Sequence, residues 1–283
     1  MLNGCAYILT VDVGNTFIRF GLFAEDSAAA QECPLATCEI TTPSSITADE
    51  ARMRLAQVMG ALAADAGMPG ALVPAAAVLS CVVPALERPW KVALSRTCTG
   101  RVLTVGPGLK TGMPVHYDDP AEIGPDRIAD AVAARAVYGS PCIVIDLGTT
   151  TNIEVIDTHG TFVGGVIAPG LALGARSLSA AAARLPQVEP SAPARVIGRN
   201  TREAMRSGVV LGEVARIDGM LDMVLAEMRA TKAAGEGDVP IAITGDDAEA
   251  LAALVGHSLT VDDALTLRGL AELYHINQKP RRA

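Results

Sequence analysis

The sequence predicts an α/β protein made of two similar halves with a cleft between them. Three observations carry this reading. Short apolar strands alternate with amphipathic helices along the 283 residues, as in sheets covered by helices. That length corresponds to about two domains at ~150 residues each. An apolar-Asp-apolar-Gly-polar-Thr pattern also occurs twice, at Val11–Thr16 and Ile145–Thr150, each time between a buried strand and an alternating one. Such an internal echo points to a duplicated unit.

The elements follow in order. Tyr7–Val13 and Phe17–Phe23 read as a hairpin turning at Gly14-Asn15. Thr47–Ala66 places Ala51, Leu55, Val58, Met59 and Leu62 at helical spacing. Ala76–Val83, bounded by prolines, and Arg101–Val105 read as buried strands. Gly106–Pro120 is rich in Gly and Pro and reads as loop. Arg127–Val137 is helical, Ile143–Leu147 a buried strand, and Ile153–Ile156 and Thr161–Val163 further strands. Leu171–Ala183 and Thr201–Arg229 read as helices and Ala233–Asp238 as a turn. Ile241–Thr244 is a strand, Asp247–Val255 and Ala264–Asn277 are helices, and the polar tail Gln278–Ala283 is expected to fray. The boundary between the halves is expected near Pro120, giving domains 1–120 and 121–283.

Composition excludes several functions. Half the residues are hydrophobic and only 3% aromatic, so Ala, Val, Leu and Ile must fill a sizeable core. The scarcity of rings argues against base stacking, and a net charge of −8 against phosphate backbones, so no nucleic acid is expected as partner. Mean hydropathy is +0.33, yet the most apolar stretch, Ala71–Leu86, is interrupted by Pro74 and Pro84, so no membrane span is expected. Tyr7–Val11 ends at Asp12 without a basic segment before it, unlike a secretion signal. Cys5, Cys33, Cys38, Cys81, Cys98 and Cys142 lack CxxC spacing and read as small hydrophobes in a reducing, cytoplasmic compartment.

The repeated pattern suits phosphate binding. Gly14 and Gly148 permit close approach to the backbone. Asn15, Thr16, Thr149, Thr150 and Thr151 supply amide and hydroxyl groups that, with backbone N–H groups, cradle phosphate oxygens. Asp12 and Asp146 end their strands where a carboxylate can hold a cation or its waters. One copy alone reads more readily as a strand-ending turn; two copies in register favour the functional reading. No GxxxxGK[ST] run is present, which excludes a P-loop. The second concentration of chemistry is Tyr117–Arg127, where Gly124-Pro125 fixes a turn before a helix. Asp126 there is either a helix cap or a carboxylate placed to accept a substrate hydroxyl proton; a structural Asp126–Arg127 pair is the other alternative. His116, His159, His257 and His275 form no ligand spacing, and Trp90 reads as a packing residue.

Taken together, these residues resemble the type III pantothenate kinases, within the superfamily of acetate and sugar kinases, heat-shock chaperones and actin. Asp12-Val-Gly-Asn-Thr16 resembles the family's first phosphate motif, and Asp146-Leu-Gly-Thr149 the second. Ser80-Cys-Val-Val-Pro84, Gly108-Leu-Lys-Thr-Gly112, Tyr117 through Arg127, Gly164-Gly-Val-Ile-Ala-Pro-Gly170, Leu185-Pro186, Ile197-Gly-Arg-Asn-Thr201 and Leu265-Thr-Leu-Arg-Gly-Leu270 continue the likeness in order. The resemblance implies duplicated ribonuclease-H-like (actin-like ATPase) domains with the nucleotide between them. It implies transfer of phosphate from ATP to the 4′-hydroxyl of pantothenate, the first step toward coenzyme A. By position, Asp126 would be the general base, and Tyr117, Gly124, Pro125, Asp126 and Arg127 would line the pantothenate pocket. Thr201 would reach pantothenate from a facing protomer or domain. Asp12, Val13, Gly14, Asn15, Thr16, Phe17, Ile18 and Arg19 would wrap the ATP phosphates and Mg²⁺. Thr149 would contact ATP, and Asp146 would hold the K⁺ or NH₄⁺ that the family requires. A homodimer is implied, for which Met205, Val209, Leu211, Ile217, Leu221 and Leu225 could supply apolar contact unless they fill the subunit's own core.

The chain departs from the family at several positions. Pro125 stands for the usual Ala, Asp119 for Asn, Thr150 for Ala, Asn152 for Thr and Glu154 for Asp. The largest departure is Ile243-Thr-Gly-Asp-Asp247, where the family has Thr-Gly-Gly. Asp246 there either brings a charge toward the place of ATP, where at about 5 Å the repulsion is on the order of 3 kcal/mol at an effective dielectric of 20, or points to solvent without effect. A family member impaired in catalysis and serving as a regulatory or nucleotide-binding protein is the alternative this turn keeps open.

Overall fold

The structure is a computed structural model, described over residues 6–26, 32–68 and 72–278. It divides into two compact units, Met1–Val137 with Ala264–Ala283, and Tyr138–Asp263. Cys5, Ala28–Ala30 and residues 279–283 of the basic tail lie outside the described residues.

The first unit is built on a five-stranded sheet of β1 (Tyr7–Val13), β2 (Phe17–Ala24), β3 (Ala36–Thr41), β4 (Ala76–Cys81) and β5 (Val102–Thr104). The spatial order is β3-β2-β1-β4-β5, with β1–β2 and β2–β3 antiparallel and β1–β4 and β4–β5 parallel. Central β1 is buried from Ile8 to Val13 because both of its faces are covered. Helix α1 (Ala48–Asp65) opens on a capping box in which Thr47 and Glu50 satisfy each other's backbone N–H. Its buried face meets α2 (Pro84–Thr97), and the Trp90 ring of α2 is fully buried against Phe20 at 5.7 Å between centroids. On the other side lies α8 (Leu265–Ile276), in contact with β1, β2 and β4. Helix α3 (Pro125–Tyr138) meets α8 so closely that a Cβ on Gly269 would lie 1.9 Å from the Ala129 carbonyl oxygen. That contact joins α3 to the final helix within the first unit.

The second unit repeats the plan. Strands β6 (Cys142–Leu147), β7 (Thr150–Ile156), β8 (Phe162–Pro169), β9 (Ile241–Gly245) and β10 (Thr260–Val261) lie in the order β10-β9-β6-β7-β8. Relabelled from its own first strand, this is the topology of the first sheet, so the unit is a duplicate in strand order and direction. Its core joins Ile143, Ile145 and Ile243 of the sheet to Val214, Ile217 and Leu221 of α6 (Gly212–Ala230). Helix α4 (Leu171–Ala181) follows β8, and the one-turn α7 (Ala248–Ala252) follows β9. The expected Thr201–Arg229 helix comprises α5 (Thr201–Arg206), a π-helical turn over Ser207–Leu211, and α6. Of the residues offered for a dimer contact, Met205, Ile217 and Leu221 are buried within this unit.

Candidate active site

In the first unit, Asp12 is the last residue but one of β1, 7% exposed, with Arg19 opposite it on β2 and Ser80 beside it on β4. The hairpin turn is held from outside: Thr42 donates its hydroxyl to the Gly14 carbonyl at 2.8 Å and its N–H to the Thr16 carbonyl at 2.9 Å. Asn15 and Thr16 stand exposed at the tip, and Val13 and Ile18 are buried beneath it. Arg19 pairs with Glu39 at 3.0 Å and lies over the Phe17 ring at 5.9 Å.

Asp126 lies inside the first turn of α3, whose first residue is Pro125, so it does not occupy the cap position. A proline at the helix start costs no hydrogen bond there. The Asp126 carboxylate accepts the Arg127 N–H at 2.8 Å. Gly124 leaves room for it, since a Cβ on Gly124 would lie 2.3 Å from Asp126 Oδ1. Arg127 is buried at 5% exposure, and Tyr117 is half-buried in the preceding loop. Asp119 caps a single 3₁₀ turn, Pro120–Glu122, accepting the Ala121 N–H at 2.9 Å. A cavity of 360 Å³ adjoins the helix start, lined by Cys81, Val105 to Leu109, Thr111, Ile123, Pro125 and Ile128 among others.

Asp12 senses the charge of Asp126. Burial, then the negative charge of Asp126, pushes the Asp12 carboxyl up to about 6. Burial also raises Asp126, against the pull of the Arg127 N–H and guanidinium. Asp12 Oδ1 is buried with no hydrogen-bond partner. A cation at this oxygen would supply the missing partner and favour the ionised form, so Asp12 fits a Mg²⁺ or a metal-bound water.

In the second unit, Asp146 is the last residue but one of β6, as Asp12 is of β1, facing Asn152 across the β6–β7 pair. The Asn152 amide donates to Asp146 Oδ2 at 3.5 Å. Gly148 and Thr149 form the turn, and Gly170 must lack a side chain there, because a Cβ would meet the Gly148 carbonyl at 2.2 Å. Behind the hairpin, Thr151 donates to buried Glu213 at 2.6 Å, Glu213 pairs with Arg216, and Arg216 donates to the Pro169 carbonyl at 2.6 Å. Gly245 takes φ +92, and a Cβ on it would lie 2.1 Å from the Leu147 carbonyl and 2.8 Å from Asp146 Oδ1. Residue 245 must therefore be glycine for β9 to pass this close to the Leu147 carbonyl and the Asp146 carboxylate. Asp246, half-buried, is not at positive φ; Asp247 is, at φ 58. The strain of the Gly-Asp-Asp turn therefore falls on Asp247, one residue beyond the place where the family pattern has its second glycine. Thr201 is exposed at the start of α5, behind an Asn200 cap.

Thr42, Gly170 and Gly245 carry structural roles at these hairpins that the phosphate pattern alone did not reveal. Of the histidines, His257 lies 3.0 Å from Asp218 and 3.3 Å from Asp222, and His275 sits half-buried on α8.

Comparison with known proteins bears on this arrangement. The model of the type III pantothenate kinase family matches residues 8–223. "Type III pantothenate kinase 2" of Symbiobacterium thermophilum is 39% identical over 96% of this chain and 97% of its own length. A "Type III pantothenate kinase" of Nocardia farcinica is 39% identical over 97% of this chain and 99% of its own. Among solved structures, a conserved Baf family protein from Campylobacter jejuni, titled a putative transcriptional activator, aligns with TM-score 0.56 at 18% identity, covering 95% of this chain and 98% of that one. A ROK hexokinase from Thermus thermophilus aligns with TM-score 0.50 at 13% identity, over 96% and 100%. The structural likenesses establish the duplicated α/β fold. By the family model and the full-length relatives, the chain belongs to the type III pantothenate kinase family.

Proposed function

We propose that the protein transfers the γ-phosphoryl group of ATP to the 4′-hydroxyl of pantothenate, the first step toward coenzyme A. The observation that supports this most directly is the Asp126 carboxylate. It is set in the first turn of α3, raised by burial, and seated where Gly124 leaves space. A carboxylate with a raised pKa is a better general base near neutral pH. Asp126 takes the proton of the acceptor hydroxyl, while Arg127, Tyr117 and the Gly124-Pro125 turn bind and orient the acid. Asp12 through Arg19 hold the nucleotide phosphates, and Thr149 assists in the second unit. Mg²⁺, held near Asp12, would supply charge neutralisation on the transferring phosphoryl group, and K⁺ or NH₄⁺, held near Asp146, further positive charge. Phosphoryl transfer relies on alignment and electrostatics more than on covalent chemistry, and these residues offer both. The reading extends to a cytoplasmic homodimer in which Thr201 of a facing protomer contacts pantothenate. Among the described residues no helix is long and apolar enough to cross a membrane.

A coupled ADP assay with and without pantothenate, at millimolar ATP with Mg²⁺ and K⁺, tests the activity. Pantothenate-dependent ADP is expected, and its absence refutes the kinase reading. Asp126→Asn is expected to lower turnover at least ~100-fold, the scale of a lost general base, with the fold intact. Retention of most of the rate would reduce Asp126 to a helix-end residue.

A further inference from the structure

The Gly108-Leu-Lys-Thr-Gly112 run has no task in the phosphate hairpins or at the Asp126 helix. Its loop walls the 360 Å³ cavity on one side through Gly106, Gly108, Leu109 and Thr111, with Pro125 and Ile128 also lining it. The loop holds itself by few bonds: Leu109 N–H donates to the Gly106 carbonyl at 3.1 Å, and Thr111 and Met113 bond each other. Gly108 and Gly112 stand at φ 91 and 67.

The middle of the loop is held by a side chain from the far end of the sequence. Asn277 Oδ1 accepts the Lys110 N–H at 3.1 Å, and Asn277 Nδ2 donates to the Lys110 carbonyl at 2.7 Å. One amide thus satisfies both backbone groups of one residue, as a neighbouring strand would. The same Nδ2 donates to the Leu273 carbonyl at 2.8 Å, fixing the amide to α8. Arg101 donates to the Asn277 carbonyl and lies over the Tyr274 ring at 5.6 Å. Ile276 sits where a Cβ on Gly112 would be 3.1 Å from its Cδ1. Helix α8 in turn contacts β1, which carries Asp12, and α3, which carries Asp126. The loop is therefore fastened to the same frame as the two carboxylates.

We infer that Asn277 is a positioning residue of the cavity beside the Asp126 helix, which on the proposed function receives pantothenate: by clamping the Lys110 backbone it fixes the loop that lines this cavity together with Pro125. Without the clamp, substrate binding would have to order the loop, which weakens apparent affinity. The kinetic consequence rests on the proposed kinase activity; the clamp does not. Asn serves because its amide donates twice and accepts once on a short arm. Asp keeps the bond from the Lys110 N–H and loses both donated bonds.

The test uses the full chain with Asn277→Ala and Asn277→Asp, measuring KM for pantothenate, KM for ATP, kcat, melting temperature and hydrogen exchange at the Lys110 amide. Asn277→Ala is expected to raise the pantothenate KM about tenfold, equivalent to ~1.4 kcal/mol, with the ATP KM and kcat within about twofold. Asn277→Asp is expected to fall between it and the wild type. An unchanged pantothenate KM in a folded variant overturns the inference. So does a parallel loss in both substrates with a lowered melting temperature, the mark of a merely structural helix end. If the wild type makes no pantothenate-dependent ADP, the functional reading fails by itself, and exchange at Lys110 judges the clamp: faster exchange in Asn277→Ala supports it, and unchanged exchange overturns it.

Discussion

At the scale of single residues, the candidate site concentrates cost on Asp12. Its carboxyl is raised from 3.8 to about 6, first by burial and then by Asp126. A raised acid favours the folded state while protonated and loses that contribution as pH rises through about 6. Above that pH, the ionised form costs ~3 kcal/mol, at 1.36 kcal/mol per unit. Asp12→Asn is therefore expected to stabilise the ligand-free protein at pH 8 by up to ~3 kcal/mol, and by about half as much at pH 5. Thermal melts at the two pH values read this directly. An equal or lower melting temperature for the variant at pH 8 would show that the protein compensates the charge by itself. The same variant should lose ATP use, so stability and function trade against each other at one side chain. Asp12 and Asp146 stand out in the sequence because a carboxylate beside a glycine turn is repeated in register, whereas Asp126 stands out only through the Gly124-Pro125 turn and the resemblance of its segment. Thr42 and Asn277 do not, because each acts on another segment's backbone and leaves no local pattern.

At the scale of elements, the Gly245-Asp246-Asp247 turn divides its demands unequally. Gly245 alone has the conformation and clearance that exclude a side chain, and it lies where β9 pairs with the end of β6. Asp246 keeps an ordinary φ while its N–H donates to the Leu147 carbonyl at 2.6 Å. Gly245→Ala is expected to cost at least ~2 kcal/mol, as strain at positive φ adds to a backbone collision. Asp246→Gly should change stability by less than about 1 kcal/mol. Denaturant melts of the pair decide it, and similar losses for both would mean that the turn relaxes around any residue. Elements that announce themselves by periodicity, such as β1, α1 and β6, lie where the sequence places them. Helix α2 escaped notice because Pro84 and Pro89 read as breakers. Pro84 occupies the first helical position, where its missing N–H costs nothing, and the buried face of Leu86, Trp90, Ala93 and Leu94 offsets Pro89. Edge strand β3 alternates Ala36, Cys38 and Ile40 with Thr37, Glu39 and Thr41, a period-2 signal the sequence does carry, whereas β10 is two residues long, too short for any period to show.

At the scale of the whole molecule, the net charge of −8 sets the condition under which two anionic substrates must bind. The duplicated sheet answers it by placing one aspartate near the end of each unit's first strand, Asp12 on β1 and Asp146 on β6. Each can recruit a cation, and the two differ in surroundings. Asp12 is buried and lacks a partner at Oδ1. Asp146 is half-buried, bonded by Asn152, and closely approached by the Gly245 backbone. On the proposed reading, a monovalent ion would be held near Asp146 and a divalent ion near Asp12. Replacing K⁺ by tetramethylammonium at equal ionic strength is therefore expected to lower kcat/KM more than about tenfold, or ~1.4 kcal/mol of transition-state stabilisation. Matching the ionic strength matters because general screening acts over ~8–10 Å in either salt. Asp146→Asn should remove the difference between the two salts, leaving a low rate in both. Equal rates for the wild type in K⁺ and tetramethylammonium would exclude a specific cation and leave Asp146 as a strand-ending residue. A K⁺ preference that survives in Asp146→Asn would place the ion elsewhere.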